Sequence, residues 1–213
     1  LDTNAVKPSS TFEDSGPVTV SGFTVDNWNY KHYGTQTMIE LLQKSNNIGA
    51  TYVGRLLGAK VLREYFTKFG LGSLTGIDLE GEATGVLKKE ADWREIDLMT
   101  AAFGQGLSAT PLQVLTAYAV FANGGFLVRP YIVAEISDNR GVRTLKSSEK
   151  KKVISPETAA TMVEMLTAAA EGGEAKFTIL KRYRVAGKTG TAQIPLGGKY
   201  DPNKTEATFV GFL

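Results

Sequence analysis

The feature that most constrains the fold is the end of the chain. Tyr183 to Ala186 and Lys188 to Ile194 have strand character. A Gly/Pro/Asp/Asn-rich stretch from Pro195 to Asn203 separates them from the apolar run Ala207 to Phe212. The pattern predicts neighbouring antiparallel strands joined by a turn. Helical spacing dominates ahead of it, so helices lead into a terminal antiparallel sheet. That order defines an α+β class, and no sequence period points to internal repeats. At 213 residues the chain is one large domain or one domain with an appendage, and 42% apolar with 22% charged residues is an ordinary globular composition.

Residues 1–34 read as a loop-rich lead-in, with one small hairpin of Val18-Thr19-Val20 and Phe23-Thr24-Val25 about Ser21-Gly22. Met38, Ile39, Leu41 and Leu42 suit a helix over 35–44 capped by Thr35, and a second helix runs from Asn47 to Leu57 before Gly58. A third starts near Lys60, places Val61, Leu62, Tyr65, Phe66 and Phe69 in the core, and stops at Gly70. Glycines punctuate 70–85, which reads as a surface connection with Asp78, Glu80 and Glu82 exposed. Solvated carboxylates of that kind lack the enclosure that glycosidase acid/base chemistry needs. Thr110-Pro111 opens a helix that ends at Gly124-Gly125, with Leu112, Leu115, Tyr118, Ala119 and Ala122 as its buried face. Tyr131 to Ser137 and Val142 to Leu145 flank Asp138-Asn139-Arg140-Gly141 as a hairpin, and Ser155-Pro156-Glu157 caps a helix to about Glu171.

Charge and rare residues exclude several functions. Lys and Arg number 24 against 22 Asp and Glu, too balanced for a nucleic-acid surface, with 146–152 the one basic run. Without cysteine there is no disulfide, zinc-thiolate site or thiol nucleophile. The single histidine, His32, cannot build a multi-histidine metal site, and within Trp28 to Gly34 it reads as a surface or packing residue. No metal and no organic cofactor is implied. No run approaches the ~18 apolar residues of a membrane span, and no signal segment opens the chain. The first residue is Leu1, so the chain is expected to be processed or excised from something longer.

Chemistry concentrates in two places. Val185 to Gln193 holds Gly187-Lys188-Thr189-Gly190-Thr191, a strand where glycines admit a second backbone, Lys188 supplies charge and Thr189 a hydrogen bond for a carboxylate. It reads equally as an ordinary exposed edge strand. A phosphate loop would also use Gly-Lys-Thr, but its upstream glycine is missing here. Ser45-Asn46-Asn47 lies between two predicted helices, where short polar side chains cap helix ends or point from a loop into a cleft.

A hydroxyl-plus-amide turn paired with a Lys188-Thr189-Gly190 strand resembles the penicillin-binding transpeptidase family, whose sites combine S-x-x-K, S-x-N and K-[ST]-G elements. Gly34 to Gly49, Phe69 to Gly72, Thr75 to Glu82 and Phe103 to Gln113 carry the likeness along most of the chain. Lys188-Thr189-Gly190-Thr191-Ala192-Gln193 is most similar to the monofunctional class B branch of cell elongation and division. The resemblance implies the penicillin-binding/serine β-lactamase-like fold, here as an incomplete transpeptidase domain over 1–213. It implies a D,D-transpeptidase in which Ser45 relays a proton, Asn47 holds the substrate amide, and Lys188 and Thr189 recognise its carboxylate. Gly190 makes room for the acyl group, and the Thr191 N–H forms half of an oxyanion hole. Partners would be peptidoglycan stem peptides, β-lactam antibiotics and other cell-wall synthesis proteins, at an extracytoplasmic site on a parent anchored by an N-terminal membrane helix.

The sequence departs from the family pattern in one respect. No serine in residues 1–44 is followed three places later by lysine, where S-x-x-K should precede S-x-N. Ser147 with Lys150 and Ser148 with Lys151 fit literally but lie in a charged run, whereas the nucleophile should open a buried helix. The family also continues beyond a strand like Ala207 to Leu213. The excerpt is therefore expected not to be competent alone. The alternatives are a catalytically silent or sensory penicillin-binding module, and a D,D-carboxypeptidase or β-lactamase on the same fold.

Overall fold

A computed structural model describes residues 1–144, 149–178, 180–196 and 199–213. Four short strands, β1 (Thr11–Asp14), β2 (Val18–Val20), β3 (Phe23–Val25) and β4 (Gly34–Thr37), precede α1 (Met38–Lys44) and α2 (Asn47–Lys68). Next come α3 (Glu95–Ala102), α4 (Pro111–Ala122), β5 (Phe126–Val128), β6 (Glu135–Asp138), β7 (Gly141–Thr144) and β8 (Lys150–Lys152). The chain closes with α5 (Pro156–Gly172), β9 (Ala186–Leu196) and β10 (Lys199–Phe212). The strands form antiparallel pairs β1–β4, β2–β3, β5–β8, β6–β7 and β9–β10. This is the α+β arrangement expected.

Local chemistry explains most boundaries. Ser21 and Gly22 take positive φ of 49° and 81°, the handedness that a two-residue hairpin loop requires, and they join β2 to β3 where expected. The expected hairpin about Asn139-Arg140 forms as β6 and β7, but its first strand begins at Glu135 and leaves out Tyr131 to Ala134. Gly58, at φ 76° and ψ 163°, breaks α2 into the two helical segments read from the sequence. Thr110 caps α4 and shares a reciprocal capping box with Gln113, and Ser155 caps α5.

Several expectations need correction. Thr11–Asp14, expected as loop, is a strand that pairs with β4 in the register Asp14↔Gly34. Its four residues alternate exposed and buried, too short a run for a period to register. The cap of α1 is Thr37, in a capping box with Glu40, and Thr35 instead sits in β4 with its hydroxyl donating to Glu13 at 2.7 Å. β9 and β10 run through most of the expected turn, pairing Leu196 with Lys199, with a register shift between Tyr200 and Thr205. Leu145, Ser147 and Ser148 lie outside the described residues.

The buried face of α4 is Gln113, Thr116 and Val120, while Leu115 is 56% exposed. Polar satisfaction sets this rotation. Gln113 Nε2 donates to the carbonyls of Ser73 and Thr84 at 2.6 and 2.7 Å, and its Oε1 accepts the Thr110 N–H at 2.9 Å. The 70–85 connection would otherwise bury carbonyls without partners. Nor are Asp78 and Glu82 in that connection simply solvated: Asp78 accepts the Ile132 and Val133 N–H groups, and Glu82 those of Thr75 and Gly76.

Among the described residues three apolar clusters make the core. Val120, Val153, Ile154 and Ala159 join α4 to α5 with Tyr65 and Phe69 against them, so part of the expected α2 stripe is core. Phe12, Met38 and Met165 join β1, α1 and α5, and Val20, Val25 and Met99 join the first hairpin to α3. Each fully buried Val, Ile, Phe or Met side chain among them contributes roughly 1.5–3 kcal/mol through burial. α5 packs on both α1 and β9, which places the end of α1 beside the terminal strand pair.

Candidate active site

The turn between α1 and α2 is a double cap. Ser45 ends α1 in left-handed backbone at φ 51° and ψ 48°. Asn46 begins α2, its Oδ1 accepting the Gly49 N–H at 2.8 Å. Gly49 is required by close approach, because a Cβ there would sit 2.4 Å from the Phe12 ring and 2.9 Å from Leu41. β1 is thus pressed against the first turn of α2.

A buried polar network holds the turn from behind. Asp14, Asn27, Gln36 and Asn46 are all nearly fully enclosed. Asn46 Nδ2 donates to Asp14 Oδ2 at 2.6 Å and to Gln36 Oε1 at 3.2 Å. Asp14 also accepts from Asn27 Nδ2 at 2.9 Å and the Tyr33 N–H at 3.3 Å, and its Oδ1 lies 3.1 Å from His32 Nδ1. Asn27 Oδ1 in turn accepts the N–H groups of Asn47 and Ile48 at 3.0 and 3.4 Å. The Asn47 side chain donates to the Asp26 carbonyl at 2.9 Å.

β9 brings the second half of the site. Lys188 Nζ donates to Ser45 Oγ at 2.9 Å and to the Thr189 carbonyl at 3.0 Å. Burial holds the Lys188 amine below the usual lysine range, and the Glu174 carboxylate opposes that shift. The pair is a hydroxyl held against an amine whose charged form burial disfavours, an arrangement able to pass a proton.

Strand geometry distributes the other candidates. Thr189 and Thr191 share the face opposite to Lys188 and Gly190. A Cβ at Gly190 would lie 2.7 Å from Thr208 Oγ1, and one at Gly187 would lie 2.6 Å from the Phe209 ring, so both glycines serve close packing against β10. Among the described residues, β9 pairs with no strand but β10. Its other edge has no strand partner for an N–H or carbonyl.

The structure therefore joins Ser45 and Lys188 directly and sets Asn47 at the start of α2, two residues on. His32, read as a packing or surface residue, lies between Asp14 and Asp26, 3.7 Å from the latter. Sequence reasoning gave no role to Asp14, Asn27 or Gln36, and named Asn46 only as part of the turn. The one available signal was Asp14 in register with buried Phe12. A cavity of about 370 Å³ between Gly70, Thr116, Leu127, Arg129 and Lys151 includes none of the candidate residues.

Comparison with known proteins shows the family. The model of the penicillin binding protein transpeptidase domain matches residues 1–213, and the chain belongs to that family. It is 39% identical over 204 residues to Stage V sporulation protein D of Bacillus subtilis, covering 94% of this chain and 32% of that protein. It is 34% identical over 215 residues to peptidoglycan D,D-transpeptidase FtsI of Buchnera aphidicola, covering 100% and 36%. These relatives are of the class B branch, as the Lys188 to Gln193 run implied. Penicillin binding protein 3 of Mycobacterium tuberculosis, complexed with ampicillin, superimposes with a TM-score of 0.91 at 29% identity, over 99% of this chain and 49% of that one. The transpeptidase domain of penicillin-binding protein 3 from Burkholderia pseudomallei gives 0.88 at 30% identity, over 100% and 62%. The chain spans about a third of the length of these curated relatives.

Proposed function

We propose that the protein carrying this chain is a peptidoglycan D,D-transpeptidase, acting outside the cytoplasmic membrane and acylated by β-lactams. The observation that carries the reading is the hydrogen bond from Lys188 Nζ to Ser45 Oγ, between groups 143 positions apart.

In this reading a serine of an S-x-x-K element attacks the penultimate D-alanine carbonyl of a stem peptide and gives up its hydroxyl proton. The C–N bond to the terminal D-alanine breaks, and its amine leaves with a proton. An amine of a neighbouring stem then attacks the acyl-serine ester, loses a proton and restores the serine hydroxyl. Ser45 and Lys188 pass protons to the leaving amine and from the entering one. Asn47 orients the substrate amide, while Lys188 and Thr189 meet its carboxylate. The Thr191 N–H stabilises the oxyanion, a donor typically worth ~3 kcal/mol of barrier. The free edge of β9 admits the substrate as an added strand. Other cell-wall synthesis proteins are the expected partners.

The test is intact mass spectrometry of the full-length protein after incubation with benzylpenicillin, with peptide mapping of the adduct. One adduct on the serine of an S-x-x-K element, formed roughly 100-fold more slowly in Lys188→Ala, is expected. No adduct, or a Lys188→Ala variant acylated at the parent rate, would overturn the reading.

A further inference from the structure

Ser45 reaches Lys188 from a backbone conformation that costs a non-glycine residue about 1–2 kcal/mol. Surrounding structure must hold such a residue in place. The groups that do so converge on Asp14, which is 1% exposed and contacts neither Ser45 Oγ nor Lys188 by any hydrogen bond among the described residues. Its Oδ2 accepts from Asn46 Nδ2 at 2.6 Å, Asn27 Nδ2 at 2.9 Å and the Tyr33 N–H at 3.3 Å, and its Oδ1 meets His32 Nδ1 at 3.1 Å. Asn46 follows Ser45 directly, and Asn27 grips the N–H groups of Asn47 and Ile48 on the far side of the turn.

We propose that Asp14 is a positioning residue for catalysis: through Asn46 and Asn27 its buried carboxylate fixes the turn that presents Ser45 to Lys188 and sets Asn47 at the start of α2. The inference rests on Ser45 and Lys188 being a reacting pair. Helix capping alone does not account for the arrangement, because Asn46 Oδ1 caps α2 while its Nδ2 takes no part in the cap and donates to Asp14 and Gln36. Three donors on one oxygen, with His32 Nδ1 against the other, is a load that a carboxylate carries and an apolar residue cannot. Asparagine can carry most of it: with its oxygen toward Asn27, Asn46 and Tyr33, its NH₂ faces His32 Nδ1, which accepts in the other tautomer. β1 makes the placement rigid, since Phe12, two residues before Asp14, lies under Gly49.

The test compares Asp14→Asn, Asp14→Leu and Asn46→Ser in the full-length protein. Asn46→Ser keeps an oxygen able to cap α2 but removes the amide Nδ2 that reaches Asp14 and Gln36, so it carries the test if Asp14→Leu does not fold. Two readouts are taken well below each melting temperature: the benzylpenicillin acylation step at saturation, and the rate at which acetic anhydride labels Lys188 relative to exposed lysines. Asp14→Leu and Asn46→Ser are expected to slow acylation roughly 10- to 100-fold with a smaller effect on affinity, and to label Lys188 several-fold faster. Asp14→Asn should recover most of both. Lowered melting temperatures with parent-like acylation and labelling in the folded protein would overturn the proposal, leaving Asp14 a structural residue only. A parent protein that takes up no penicillin would sink the transpeptidase reading and the catalytic part of the proposal with it, while the labelling comparison would still decide whether Asp14 holds Ser45 against Lys188.

Discussion

In the proposed function Lys188 carries two demands that pull against each other. Meeting a substrate carboxylate favours the charged ammonium, whereas burial favours the neutral amine. The hydrogen bond to Ser45 reconciles them, since a proton shared toward a hydroxyl is one that can leave and return. Because burial lowers its pKa, the folded chain binds fewer protons than the unfolded chain between the lowered value and the ordinary 10.5. Stability contributed by this group therefore rises with pH through that window, and is lowest where the buried amine must stay charged. Specific carbon-13 labelling of lysine should show the Lys188 Cε resonance titrating below those of the exposed lysines. Co-titration with them would remove the proton-relay role.

At the scale of elements, α4 shows what a sequence pattern can and cannot say. Its start at Thr110-Pro111 and its end at Gly124-Gly125 were legible because capping and left-handed exits use few residue types. Its buried face was not, because periodicity counts apolar residues, while Gln113 is drawn inward by the carbonyls of Ser73 and Thr84. Gln113→Leu, though more apolar, should therefore cost about 2–4 kcal/mol in chemical denaturation by orphaning those groups. A neutral or stabilising result would mean that the 70–85 connection finds other donors. The same blindness hid β1, whose partner β4 is recognised only once both are folded, and with it the network behind Ser45.

Across the whole molecule, the residues that matter come from distant parts of the chain and are joined by packing rather than by sequence. Asp2 shows how far this extends: it accepts hydrogen bonds from Tyr65 at 2.7 Å, from the Ser155 N–H at 2.9 Å and from Thr158 at 3.1 Å, tying the first residues to α2 and α5. Burial and that bond to Asp2 push the Tyr65 hydroxyl up to about 12. α5 then connects the end of α1 to β9, so that Ser45 and Lys188 close one site from opposite ends of the sequence. Both motifs were visible beforehand as polar clusters, and their pairing was expected only through the family resemblance, because no local pattern encodes a contact between them. The account stands most directly on that meeting. A double-mutant cycle on the acylation rate of the full-length protein, with Ser45→Ala, Lys188→Ala and both together, measures it. Two groups acting as one relay should lose nearly as much singly as together. Independent losses that multiply in the double variant would contradict the relay.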